Sequence, residues 1–140
     1  MNYPQAIQFL YNLEHGSVKL GLERIQTAVD TLGHPERRYI TVHVAGTNGK
    51  GSTAAFLASI LEAAGYRTGL LTSPHLMAYG ERIRIAGKML SRDCIAQLAT
   101  DLRTIIQETQ LSFFEATTAL AFEAFAQGGV EVAVIEVGMG

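Results

Sequence analysis

Val42-His43-Val44-Ala45-Gly46-Thr47-Asn48-Gly49-Lys50-Gly51-Ser52 decides how the rest of the chain reads. A β-branched apolar run passes into a turn carrying three glycines and a lysine, and an amphipathic segment over 53–64 follows. Strand, glycine-rich loop and helix in that order make a cradle for polyphosphate. The glycines let the backbone curl until several N–H groups point inward, and the helix behind presents the positive end of its dipole. Lys50 can then reach the terminal phosphates, and the hydroxyl of Ser52 or Thr53 can meet magnesium. We read Gly46, Thr47, Asn48, Gly49, Lys50, Gly51 and Ser52 as an ATP site with Lys50 as its catalytic group. The spacing is not that of the general phosphate loop, G-x-x-x-x-G-K-[ST]. Its first glycine would fall on Val44, and Gly51 separates Lys50 from Ser52. A narrower pattern, G-T-N-G-K-G-S, takes its place. The plain alternative, a turn that only joins strand to helix, accounts poorly for a lysine among the glycines.

The chain has 140 residues, 48% hydrophobic and 17% charged, as expected of one domain with a sizeable core. A net charge of −2 gives no bulk attraction to nucleic acid or to an anionic membrane. No apolar run approaches the ~20 residues of a membrane span. One cysteine, Cys94, excludes an internal disulfide and fits a reducing compartment, so the cytoplasm is expected. The last stretch, 130–137, reads as a buried strand followed at once by Gly138-Met139-Gly140. Such a turn commonly leads into another helix, so a longer protein is expected.

Working outward, the periodicity predicts helices over 3–14 (Ile7, Leu10 and Tyr11 on one face) and 20–32 (Leu22, Ile25, Val29, Leu32). It predicts strands over 38–44 and 67–72. The helix between them should turn Phe56, Leu57, Ile60, Leu61 and Ala64 to the core. Residues 81–90 alternate and turn at Gly87 as a small hairpin. Ser91 caps a helix that buries Ile95, Leu98, Leu102, Ile105 and Ile106, with Cys94 packed as a small apolar residue. Another helix spans 113–127, ended by Gly128-Gly129 before the last strand. Strands alternating with helices argue for an α/β fold: a three-layer, mainly parallel sheet with helices on both faces.

In such sheets ligands sit beyond the carboxyl ends of the strands. Three polar positions fall there: the Gly46–Ser52 loop, Ser73 and Glu136. Beside the Lys50 loop, Glu136 reads as a magnesium ligand. Ser73 either adds a hydroxyl to that metal or serves turn chemistry before Pro74. His75 reads as a turn residue, and Arg82 and Arg84 as an exposed hairpin face. The phenylalanines are mostly core, although Phe114, opening a helix, is placed to stack on a flat heteroaromatic ring. No Cys/His set has zinc spacing, and no G-x-S-x-G occurs.

Five segments together resemble the folylpolyglutamate synthase/dihydrofolate synthase branch of the Mur ligase superfamily. They are Leu20-Gly21-Leu22-Glu23-Arg24, Val44 to Ser52, Ser73-Pro74-His75-Leu76, Glu81-Arg82-Ile83-Arg84 and Glu136-Val137-Gly138-Met139-Gly140. The resemblance implies a P-loop NTPase-like Mur ligase central domain, of which residues 1–140 are the N-terminal part, with the C-terminal domain absent. It implies an ATP-dependent ligase that joins L-glutamate to dihydropteroate or folates through an acyl phosphate. Lys50 and its loop would hold ATP. Ser73, Glu136 and Ser52 would serve Mg2+, and Ser17, Val18, Lys19 and Leu20, with Ser112 and Phe114, would hold the pterin. A monomer without nucleic-acid or membrane partners is expected, and these residues alone are expected to be inactive. Another Mur-type amino-acid ligase and a non-catalytic nucleotide-binding module remain the alternatives.

Overall fold

Asn2 accepts the Gln5 N–H at 2.9 Å while the Gln5 side chain accepts the Asn2 N–H at 3.0 Å, and this reciprocal cap starts the first helix. The computed structural model describes residues 1–13, 22–45, 49–72 and 78–136, and of Lys50 the backbone alone. Its elements in order are α1 (Tyr3–Tyr11), α2 (Glu23–Thr31), a 3-10 turn at Pro35–Arg37, β1 (Ile40–Val44), α3 (Lys50–Ala63) and β2 (Thr68–Leu71). A second 3-10 turn at Tyr79–Arg82 leads to β3 (Ile83–Ile85), β4 (Lys88–Met89), α4 (Arg92–Thr109), α5 (Phe113–Gln127) and β5 (Val132–Glu136).

The sheet order is β1-β5-β2-β3-β4. β5 lies between β1 and β2 and is parallel to both, whereas β3 and β4 add on antiparallel. The sheet is therefore mixed: a parallel trio extended by the expected hairpin. Positive φ at Ala86 (53°) and Gly87 (79°) gives that hairpin the tight turn favoured between twisted strands.

Every residue of β5 is buried, because strands flank it and helices cover both of its faces. Successive side chains point to opposite faces. Val134 packs with Ala54 and Ala58 of α3, joined by Val44, Leu57, Leu61 and Leu70. Ala133 and Ile135 face the larger core built on α5, α4, α2 and α1. α5 is the middle layer. It seats Phe125 over Gly69 of β2, while α4 and α1 close over its outer side. The Ser91 cap of α4 stands where the sequence places it, and Ser112 caps α5 in the same way.

α3 departs from expectation. Phe56 is 71% and Ile60 62% exposed, and Ala64 is exposed as well. The helix is apolar around most of its circumference, so no single stripe announces its inner face. Small Ala54 and Ala58 are the residues that let it approach the sheet. It also begins at Lys50, not at residue 53, which puts Lys50, Gly51 and Ser52 in its first turn. α2 is shorter than its apolar spacing suggests, and Leu22 is left 66% exposed. Arg82 does not belong to a plain exposed hairpin face: its guanidinium lies 5.1 Å from the centroid of the Phe113 ring. Cys94 packs as expected, and burial pushes its thiol above the usual range.

Candidate functional site

Register brings the carboxyl ends of the parallel strands level. Val44 of β1 pairs with Glu136 of β5, and Leu71 of β2 pairs with Ile135. Glu136 is only 7% exposed there, ending a strand whose other side chains are all apolar. A carboxylate is rarely buried without a partner for its charge. What it faces is the start of α3: a Cβ built on Gly51 would lie 3.8 Å from Glu136 Oε2. Gly49, at φ 73°, supplies the left-handed turn that opens this helix without a side-chain cap. The first turn of α3 therefore presents backbone N–H groups and the positive end of the helix dipole beside a buried carboxylate and the exposed Ser52. The carboxylate and the hydroxyl are oxygen donors of the kind Mg2+ takes in small number, and helix N–H groups are donors suited to phosphate oxygens.

Ser112 and Phe114, the described members of the predicted pterin cluster, lie toward the same edge of the sheet. The Gly128 carbonyl, just past the end of α5, accepts from Arg67 Nε at 2.6 Å at the start of β2. α5 therefore runs against the parallel strands, and its first residues reach their carboxyl ends. Arg82 ties the two regions together, because its carbonyl accepts the Thr72 N–H at 2.8 Å while its guanidinium covers Phe113. Around Phe113 stand Tyr11, stacked at 5.2 Å, and buried Tyr79, edge-on at 6.0 Å. Tyr79 donates to Thr117 Oγ1 at 2.8 Å. Burial raises the Tyr79 phenol well above its ordinary value, so it stays a neutral donor.

Ser112 is the N-cap of α5 and its Oγ accepts the Glu115 N–H at 3.2 Å. Phe114 stands 43% exposed one residue into the helix, open to a ring stacked from outside. Sequence reasoning missed the pair that fastens this end: Arg24 Nε and Nη2 reach the two oxygens of Glu115 at 3.1 and 3.2 Å. The spacing Ser112-x-x-Glu115 announces a capping box, but nothing local names Arg24 as the partner. Gly46, Thr47, Asn48, Ser73 and His75, and Ser17, Val18, Lys19 and Leu20, lie outside the described residues, as does the Lys50 side chain.

No family model matches the chain. Among curated proteins it is similar to the dihydrofolate synthase/folylpolyglutamate synthase of Escherichia coli, 37% identical over 134 residues, covering 96% of this chain and 32% of the relative. A folylpolyglutamate synthase structure from Thermotoga maritima is 40% identical with a TM-score of 0.92, covering 99% of this chain and 33% of its own. A structure described as an FPGS–AMPPCP–folate complex is 36% identical with a TM-score of 0.93, covering 100% of this chain and 36% of its own. The chain spans about a third of the length of each of these relatives. Likeness in sequence and backbone runs through all of the elements described above, and the chain belongs to the folylpolyglutamate synthase/dihydrofolate synthase family.

Proposed function

We propose that these residues are part of the ATP-binding domain of a ligase that adds L-glutamate to dihydropteroate, to folates or to both. The observation that carries the reading is the buried Glu136 carboxylate set against the first turn of α3. A similar chain has been solved with an ATP analogue and folate together, which supports both substrate classes.

In this reading the N–H groups of Gly46 to Ser52 hold the phosphates, and Lys50 neutralises charge on the group in transfer. Glu136, with Ser52 and Ser73, would hold Mg2+, which would supply neutralisation of phosphate charge when bound. The carboxylate of the pteroate attacks the γ-phosphorus, the bond to the bridging oxygen breaks, and ADP leaves. The amine of L-glutamate then attacks the acyl phosphate. Phosphate departs as the amide forms, and the amine gives up its proton. Such transfer asks the protein mainly for position and for compensation of charge. Ser17, Val18, Lys19 and Leu20, with Ser112 and Phe114, hold the pterin end. Cysteine usage supports a reducing compartment such as the cytoplasm, and the enzyme is proposed to act as a monomer.

The test is ADP formation by the full-length protein. It should require both a pteroate and glutamate and should collapse in Lys50→Ala. Indifference to the pteroate would overturn the substrate assignment. The 140 residues alone are expected to be inactive, and glutamate-dependent phosphate release by them would refute that.

A further inference from the structure

Arg24 and Glu115 stand 91 positions apart, on α2 and α5, yet they form a two-pronged ion pair at 3.1 and 3.2 Å. Glu115 Oε1 also accepts the Ser112 N–H at 3.0 Å, so one carboxylate closes the cap of α5 and grips α2. The side chains are 23% and 14% exposed. Burial alone would raise the Glu115 pKa. The Ser112 amide and the Arg24 guanidinium outweigh it and hold the carboxyl below the ordinary range.

Capping needs one oxygen; the second is committed to another element. Nor does α5 depend on this pair for its place, since Leu120 and Phe125 are fully buried between the sheet and the outer helices. α2, by contrast, is nine residues long, its N-cap Leu22 makes no side-chain cap, and Arg24 lies in its first turn. What the fork fixes is the distance between two helix starts, at the end of α5 where Phe114 projects.

We propose that Arg24 and Glu115 are a positioning pair that sets the pterin end of the substrate site by holding the first turn of α5, with Ser112 and Phe114, against the start of α2. The proposal rests on the ligase reading above. Neither residue touches the reacting atoms. Both act through the geometry of their neighbours, where a small displacement is costly to binding.

The test uses initial rates of the full-length enzyme and the variants Arg24→Ala, Arg24→Lys, Glu115→Gln and the double variant Arg24→Ala/Glu115→Gln. Glutamine keeps the capping box but loses the charged fork, and lysine keeps a charge without the two-pronged geometry. The KM for the pteroate substrate should rise about tenfold in Arg24→Ala and Glu115→Gln. It should rise less in Arg24→Lys, while kcat and the KM for ATP stay within about twofold. The double variant should be no worse than the poorer single. A lowered melting temperature with both KM values unchanged, or with both raised together, would reduce the pair to a structural strut and overturn the proposal. A wild-type enzyme that forms ADP without any pteroate would instead remove the ligase reading, and this assignment with it.

Discussion

Replacing Gly69 with alanine should cost the fold about 1–3 kcal/mol. Gly69 lies in β2 beneath the ring of Phe125, and a Cβ there would stand 2.7 Å from Cδ1, 2.7 Å from Cε1 and 3.0 Å from Cγ. Carbon atoms rest comfortably at ~3.5–4.0 Å, so ring or strand must move by roughly 1 Å. Neither has room. Phe125 is fully buried with the Tyr39 ring edge-on at 5.9 Å, and Gly69 is paired to Ala133 on one side and Ile85 on the other. For a chain of 140 residues each kcal/mol lowers the melting temperature by roughly 3–5 °C, so a loss of roughly 3–15 °C is expected. Circular dichroism during heating measures it. A second arm, Phe125→Leu, opens space beneath the helix, and the double variant should be less destabilised than the two singles summed, by about 1 kcal/mol or more. An alanine that melts with the wild type, together with additive behaviour in the double, would refute this seating of α5 on the sheet.

Ser112→Ala removes the acceptor for the Glu115 N–H and should cost about 0.5–2 kcal/mol in denaturant titrations, with Ser112→Gly costing only a few tenths. Tyr79→Phe loses the bond to Thr117 inside the core and should cost about 1 kcal/mol, with no change in the circular dichroism spectrum. Glu115 has a folded pKa below its ordinary 4.5, so its stabilising contribution is complete above that value and is lost as pH falls through the folded pKa. The stability gap between wild type and Glu115→Gln should accordingly narrow on acidification from about pH 6 to about pH 3, and a constant gap would count against the ion pair.

Local signals located much of this fold. Ser91 marks a helix start that the structure keeps, the 113–127 helix stands at its expected bounds, and Gly87 marks the hairpin turn. The apolar 130–137 run marks the strand that becomes the middle of the parallel trio. Its partners were not legible, because strand order depends on which distant segments meet: β5 is the last of the described strands in sequence yet sits between β1 and β2. α3 misled for a related reason. With apolar residues around most of the helix, only the sheet decides that Ala54 and Ala58 face inward while Phe56 and Ile60 do not. At the candidate site, the meeting of Glu136 with the start of α3 follows from strand register and could be anticipated from the rule that ligands gather at strand ends. The Arg24–Glu115 fork could not, since a salt bridge across 91 positions leaves no periodic trace in the sequence.

The proposed ligase chemistry requires Glu136 to serve a magnesium-bound triphosphate at the head of α3. Calorimetric titration of ATP into the full-length protein, with and without Mg2+, compares wild type with Glu136→Gln most directly. Tighter binding with Mg2+ in the wild type, and little or none of that gain in the variant, is the predicted result. An equal gain in both would contradict it.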